Sequence, residues 1–388
     1  MSFFKIHQKS KKTNSRARTG QITTAHGVIN TPAFVSVGTK GTIKSVTPEQ
    51  AIALGVQASF VNTYHLVVHP GVDVISSNIS IHEYSGMKWP LLSDSGGFQI
   101  FSLADRAKRG KLRDGEEAIL QKITEDEVTF RSVYNGEKII FSPELSILYQ
   151  QKIGADICMA FDECVYYGAT KEYAKKSMDM THRWLDRCIS SFGKNQRADY
   201  QQYLYGIIQG STYEDLRIES AKYIHSKPTP GVAIGGVSVG ESKSELRDQV
   251  RWVSPYLPDD RPVHLLGVGH LDDIIDLVGY GVDTFDCVEA TRLARLGVLL
   301  HIDNLDKSFG DWKLGKIDIT ELKYKTDYQK LNNYHNEMNN NTTFTRSYLH
   351  HLFKQKELLA YNIATLYNLS VMESLMLRIR EEIEFGNI

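Results

Sequence analysis

Short apolar runs alternate with longer amphipathic stretches along most of this chain. Ala33–Val37, Ala58–Asn62, Pro90–Ser93 and Asp156–Phe161 have the length and apolar character of buried strands. Leu204–Gln209, Val232–Gly236, Val263–Gly267 and Val282–Phe285 continue the series. Helix signals fall between them. Thr47-Pro48-Glu49-Gln50 combines a capping threonine, a first-turn proline and a capping-box glutamine, and Gly55 is placed to end that helix. Ser142-Pro143, Thr170 and "SKSELRDQVRWV" from Ser242 open further helices. One long amphipathic helical stretch is expected from Tyr348 toward Glu384. Gly20–Thr39 reads as a strand pair, "GQITTAHGV" then "TPAFVSVGT".

About eight strands in βα alternation are the count of a closed (β/α)8 TIM barrel, an α/β fold. An open doubly wound sheet is the alternative, but the glycine fingerprint that usually follows its first strand is absent. The pattern predicts a single barrel domain over 1–388, interrupted twice. An excursion over 104–142 contains a hairpin, "TFRSVYNGEKIIF", turning at Asn135-Gly136. A second, polar and Asn-rich, begins near Leu299, so that 299–367 forms a subdomain inserted before the final helix.

Composition narrows the function classes. No apolar run approaches the roughly 20 residues of a membrane span. The basic N-terminus lacks the apolar core of a signal peptide, so a cytoplasmic protein without membrane attachment is expected. The 388 residues carry 45 basic and 46 acidic side chains, a formal charge of −1, which excludes nucleic-acid binding through overall charge. Local patches remain, at Lys5, Lys9, Lys11, Lys12, Arg16 and Arg18 and at Arg106, Lys108, Arg109, Lys111 and Arg113. The cysteines Cys158, Cys164, Cys188 and Cys287 form no CxxC pair and read as reduced thiols. His65, His69, His350 and His351 read equally well as core or surface hydrogen bonders and as functional groups.

In such barrels the chemistry sits where strands end and βα loops begin. Asp94, Asp162, Gln209 and Asp286 each follow an apolar run, and Gly235-Gly236 and Gly267 occupy equivalent places. Three carboxylates and an amide on one rim suggest an enzyme that uses carboxylates as nucleophile and acid/base.

Six segments then narrow the reading: "SDSGGFQIFSL" (Ser93–Leu103), "MAFDEC" (Met159–Cys164), "YGIIQGS" (Tyr205–Ser211), "AIGGVSVGE" (Ala233–Glu241), "LLGVGHLDDI" (Leu265–Ile274) and "DTFDCVEATRLAR" (Asp283–Arg295). Together they resemble tRNA-guanine transglycosylase, the queuine tRNA-ribosyltransferase family, in its bacterial form. The resemblance runs from about Phe4 to the C-terminus and weakens after Gly297.

It implies exchange of the wobble guanine of a tRNA anticodon for a 7-deazaguanine, in queuosine modification. Asp286 is the implied nucleophile, forming a covalent tRNA–Asp intermediate, and Asp94 the implied general acid/base. Recognition of the base falls to Ser95, Phe98, Asp162, Cys164, Gln209, Gly235, Gly236, Val237, Val239 and Leu266. Contacts with the anticodon stem-loop fall to Gly267, Val268, Gly269, His270, Leu271, Asp272 and Asp273, and to Thr291, Arg292, Leu293, Ala294 and Arg295. A homodimer is also implied. Val239 matches a gate position where valine accompanies a small aminomethyl substituent and glycine accompanies the bulky cyclopentenediol of queuine. This favours 7-aminomethyl-7-deazaguanine (preQ1), with queuine as the alternative.

The chain departs from the family at its structural zinc. The positions that match its three cysteines and its histidine hold Asn336, Met338, Asn341 and Tyr367, with His335 a lone neighbour. None of the four offers a thiolate or imidazole, so no metal and no cofactor are expected. Ala290 also stands before Thr291-Arg292 where the family has proline. The rival readings are a non-catalytic tRNA-binding partner subunit, an archaeal-type enzyme acting elsewhere in tRNA, and a barrel enzyme for a small molecule. Retention of Asp286 and Asp94 argues against the first. The chain has no room for the second's extra C-terminal modules, and Arg292 and Arg295 are unexplained by the third.

Overall fold

The structure is a computed structural model and describes residues 2–98, 120–132, 136–194, 196–331 and 344–388. Eight parallel strands close into a barrel: β1 (Ala33–Val37), β2 (Ser59–Val61), β3 (Leu91–Ser93), β4 (Ile157–Met159), β5 (Tyr203–Ile208), β6 (Gly231–Ile234), β7 (Val263–Leu265) and β8 (Thr284–Cys287). Closure is made by β8 pairing with β1, with Asp286 opposite Val35. The sequence-predicted strands all exist, trimmed at most ends because their last residues turn out of the ladder into βα loops. The exception is β8, which starts later and runs through Asp286 to Cys287, so this aspartate lies within its strand.

The helix signals act as read. Thr47 accepts from the Gln50 N–H and the Gln50 side chain bonds back, while Gly55 adopts φ +78°. Ser242 and Glu245 form a second capping box. Ser142 caps the helix Pro143–Ile153.

The N-terminal segment differs from its sequence reading. Phe4–Lys9, unrecognised as a strand, pairs with Arg18–Thr24, which pairs in turn with Gly27–Thr31. The hairpin therefore turns at Ala25-His26, and Ala33–Val37 leaves it to become β1. This sheet closes the barrel's N-terminal mouth: Phe4, Ile22 and Ile29 join Val35, Phe60, Leu92, Met159 and Ile207 in one buried cluster. Each such side chain contributes roughly 1.5–3 kcal/mol when fully buried. Phe3 stacks on Tyr203 at 3.8 Å.

Arg18 accordingly belongs to no basic patch. It is 5% exposed and forms a bidentate pair with buried Asp283, at 2.9 and 2.7 Å. Arg16 bonds to Asp259. The cluster at 106–113 lies outside the described residues, as do Asn135 and His335.

Val128–Arg131 and Lys138–Phe141 form the expected antiparallel pair, extended by Leu120–Ile123. Beyond β8, Val298–Asp303 pairs with Lys313–Asp318. The C-terminal stretch is two helices, Arg346–Gln355 and Leu358–Phe385, because Lys356 adopts a left-handed φ of +58° and ends the first. The second is not amphipathic through its middle. Residues 367–376 are buried without a break, as in an internal helix. Its Asn368 side chain bonds to Leu300, Ala290 and Val298, tying the helix after β8 to the C-terminal hairpin. Among the described residues, no helix is long and apolar enough to cross a membrane.

Candidate active site

The C-terminal ends of β3, β4, β5 and β6 bring one group of polar side chains together. Asp162, three residues beyond β4, accepts from Ser95 Oγ at 2.9 Å through Oδ1 and from Gln209 Nε2 at 2.7 Å through Oδ2. Burial pushes its carboxyl up to about 6, against the opposing pull of those two donors. Gln209 Oε1 is buried with no hydrogen-bond partner among the described residues. A buried amide oxygen left unpaired is costly, and this one is available to a donor on a flat ligand.

Gly236 is required by space as well as by its φ of +62°, since a Cβ there would lie 2.3 Å from Gln209 Oε1. Its backbone N–H faces the Cys164 thiol, which burial and then the neighbouring Asp162 charge push up to about 12. Cys164 is thus a neutral wall of the site. Val237 is buried and Val239 half-buried. The loop carrying them is held by Glu241, which accepts from the N–H groups of Ser238 and Val239. Leu266 is half-buried, and Phe98 is 49% exposed.

Asp94, directly after β3, is held from three sides. Its carboxylate accepts from the Asn62 side chain, from Thr63 N at 2.8 Å and from Gly96 N at 3.2 Å. Thr63 Oγ1 donates to the Asp94 carbonyl at 2.6 Å. Asn62 also caps the helix Thr63–Val68, so Asp94 faces a helix start that favours negative charge.

Asp286 lies on β8, separated from β3 by β1 and β2 around the barrel. Its Oδ1 accepts from His264 Nε2 at 3.1 Å and from Gly267 N at 3.0 Å, and its side chain stays 13% exposed. The carboxylate is oriented by one oxygen while keeping access to solvent.

Two functional residues were missed in the sequence. His264 sits fully buried in β7. Arg217, in the helix Glu214–Ser226, is a charged residue that is 0% exposed. It donates to the carbonyls of Ser211, Gly235 and Gly236 at 2.7, 2.6 and 2.6 Å, and so fixes the Gly-Gly turn beside Gln209. Burial lowers its pKa to about 10, which leaves it charged at neutral pH. The available signal was spacing: Arg217, Ala221 and Ile224 share one helix face.

The expected tRNA-contacting set divides. Val268, Leu271, Asp273, Thr291 and Ala294 have buried side chains. Gly269 is buried too, with Cys287 Cβ 2.3 Å from where its own Cβ would stand. Asp272 is committed to Lys243 and Arg247. Gly267 and Arg292 are exposed, and His270, Leu293 and Arg295 partly so. Two arginines on one helix turn give this rim its positive charge, and Arg292 lowers the pKa of half-buried Arg295, though less than burial does.

Among the described residues, the donors close enough to share a cation are His26, His82 and Asp156. They lie at the opposite end of the barrel, before β4. Asp156 is already engaged there by His26 Nδ1 at 2.8 Å and Leu91 N at 2.9 Å. Of the four family zinc positions, Asn336, Met338 and Asn341 fall outside the described residues, and Tyr367 is buried within the internal helix.

Residues 12–388 match the family model described as queuine tRNA-ribosyltransferase. Curated relatives of that name include one from a Roseiflexus species, 39% identical over 97% of this chain and 95% of its own length. A second, from Thermoanaerobacter pseudethanolicus, is 41% identical over 98% and 93%. A third, from Tolumonas auensis, is 40% identical over 97% and 94%. Matches this long, laid over a barrel whose strand ends carry Asp94, Asp162, Gln209 and Asp286, show that the chain belongs to the queuine tRNA-ribosyltransferase family of transglycosylase enzymes.

Proposed function

We propose that this enzyme exchanges the wobble guanine of a tRNA anticodon for 7-aminomethyl-7-deazaguanine by double displacement through a covalent intermediate on Asp286. The observation that carries the reading is the state of Asp286: one carboxylate oxygen is held by two donors, and the side chain is still open to solvent.

In the first step a carboxylate oxygen of Asp286 attacks C1′ of the target ribose. The C1′–O bond forms, the C1′–N9 bond breaks, and the electron pair leaves on guanine, which takes up a proton that Asp94 relays from solvent. In the second step Asp94 accepts the N9 proton of the incoming base. That nitrogen attacks C1′, and the C1′–O bond pair returns to Asp286. Two inversions restore the configuration at C1′, the logic of a retaining glycosidase. A carboxylate suits both steps, being ionised at neutral pH and able to leave.

The base edge is read by Asp162, which can accept from the ring N–H and the exocyclic amine, and by Gln209, whose Oε1 is unpaired. Phe98 offers a stacking face, a contact that contributes roughly 1–3 kcal/mol per base. The nucleotide must leave its stack to enter. Arg292 and Arg295 would meet phosphates, which position an RNA without reading its bases.

The donor set at the family's zinc positions does not fit zinc, and no step here requires it; we read the enzyme as zinc-free. A homodimer remains part of this reading.

Incubation of the protein with tRNA, followed by a denaturing gel, tests the covalent step. Wild type should retain a tRNA adduct, and Asp286→Asn should lose both adduct and base exchange. Exchange by Asp286→Asn at the wild-type rate overturns the mechanism.

A further inference from the structure

The nucleophile's strand neighbour carries a second role. His264 on β7 is opposite Thr284 on β8, and because side chains alternate along a strand, Thr284 and Asp286 share a face. The His264 ring bridges both. Nδ1 lies 2.9 Å from Thr284 Oγ1, and Nε2 lies 3.1 Å from Asp286 Oδ1. The side chain is 0% exposed, and Phe60 stacks on its ring at 5.6 Å and 20°, which restricts rotation.

This arrangement selects a tautomer. A carboxylate only accepts, so the nitrogen facing Asp286 carries the proton. The Thr284 hydroxyl can donate, so it satisfies the lone pair on Nδ1. Neutral His264 with its proton on Nε2 therefore leaves no ring nitrogen unpaired.

We infer that His264 is a positioning residue that holds Asp286 Oδ1 as the non-attacking oxygen, directs Oδ2 to C1′, and speeds release of the ribosyl group in the second displacement. The inference rests on the covalent reading above. Gly267 N–H takes the same Oδ1, so both donors leave Oδ2 to the reaction. Once Oδ2 is esterified, Oδ1 is an ester carbonyl, a weaker acceptor than a carboxylate oxygen. The Nε2–H bond strengthens as the C1′–O bond breaks and charge returns to the carboxylate. Donors whose bonds grow in a transition state accelerate that step.

The test compares wild type, His264→Leu and His264→Gln. Glutamine places an amide N–H near the position of Nε2, whereas leucine fills the space without a donor. Preformed tRNA adduct is chased with deazaguanine base and its decay followed on a denaturing gel, with melting temperatures measured in parallel. A lost hydrogen bond to a charged group corresponds to about a 10- to 100-fold effect. We expect His264→Leu to slow the chase by that factor and to raise the steady-state adduct fraction. His264→Gln should recover most of the rate. A chase by His264→Leu at the wild-type rate overturns the proposal, as does equal slowing in both variants without adduct accumulation. If wild type forms no adduct, the covalent reading fails first and this inference with it. If wild type forms adduct and the leucine variant releases it normally, the inference about His264 fails by itself.

Discussion

The amide Nε2 of Gln209 donates to Asp162 Oδ2 at 2.7 Å, while the buried oxygen of the same amide has no hydrogen-bond partner among the described residues. The pair is half-satisfied, and it spans the ends of two neighbouring barrel strands. Buried groups in this condition favour a ligand that brings both a donor and a flat edge.

That pair gives a prediction in which activity and stability move in opposite directions. The Asp162 carboxyl is raised to about 6 from an ordinary 3.8. Between those values the folded protein binds more protons than the unfolded chain, so stability falls as pH rises through the window. Above about pH 6 the cost of the buried carboxylate is present in full. Asp162→Asn removes it, and the new amide can donate to Gln209 Oε1 after a flip. The variant should melt higher than wild type at pH 8 and lose that advantage near pH 4. Base exchange should meanwhile fall about 10- to 100-fold, the effect of losing a charge-assisted acceptor. Thermal melts at the two pH values and one exchange assay check it. An equal change in melting temperature at both pH values counts against the assignment.

The sequence made the barrel legible because strand and helix signals alternate with intact caps, Thr47 and Ser242 among them. The chemistry was legible where a carboxylate follows an apolar run, as at Asp94 and Asp162. His264 was not, because a histidine between Val263 and Leu265 looks like any half-buried strand residue until β8 supplies its partners. Arg217 and Arg18 were hidden for a related reason. A charge in sequence says nothing of the three carbonyls or the carboxylate that neutralise it after folding. Phe4–Lys9 escaped notice because its lysines suggest a solvated tail, whereas the alternate residues Phe4 and Ile6 face the barrel floor.

Metal content is the second prediction. Asn336, Met338, Asn341 and Tyr367 supply neither thiolate nor imidazole where the family holds zinc. Purified protein should carry far less than one zinc per chain by elemental analysis, and chelator treatment should leave its melting temperature unchanged. Packing must then stabilise the C-terminal subdomain, through contacts such as His350 Nδ1 with the Ile319 carbonyl at 2.8 Å and the Phe344–Tyr348 ring stack at 5.6 Å. Stoichiometric zinc would refute the reading.

In the proposed function the choice of incoming base turns on Val239. Its loop is braced, with the N–H groups of Ser238 and Val239 bonded to Glu241 and the Gly235 and Gly236 carbonyls held by Arg217. A braced loop cannot withdraw freely from a bulky ligand, so an isopropyl group at this position should crowd a cyclopentenediol while tolerating an aminomethyl group. Overpacking a rigid site costs roughly 1–3 kcal/mol, about ten- to a hundredfold in binding. Wild type should therefore use 7-aminomethyl-7-deazaguanine with a kcat/KM at least ten times that for queuine. Val239→Gly should narrow the ratio by raising queuine use, with the aminomethyl base little affected. The opposing consideration is that Val237 and Ser238 differ from the residues usual in the bacterial family, which would widen the space beside Val239. If wild type takes queuine with the higher kcat/KM, that space outweighs the valine and the gate lies elsewhere in the loop.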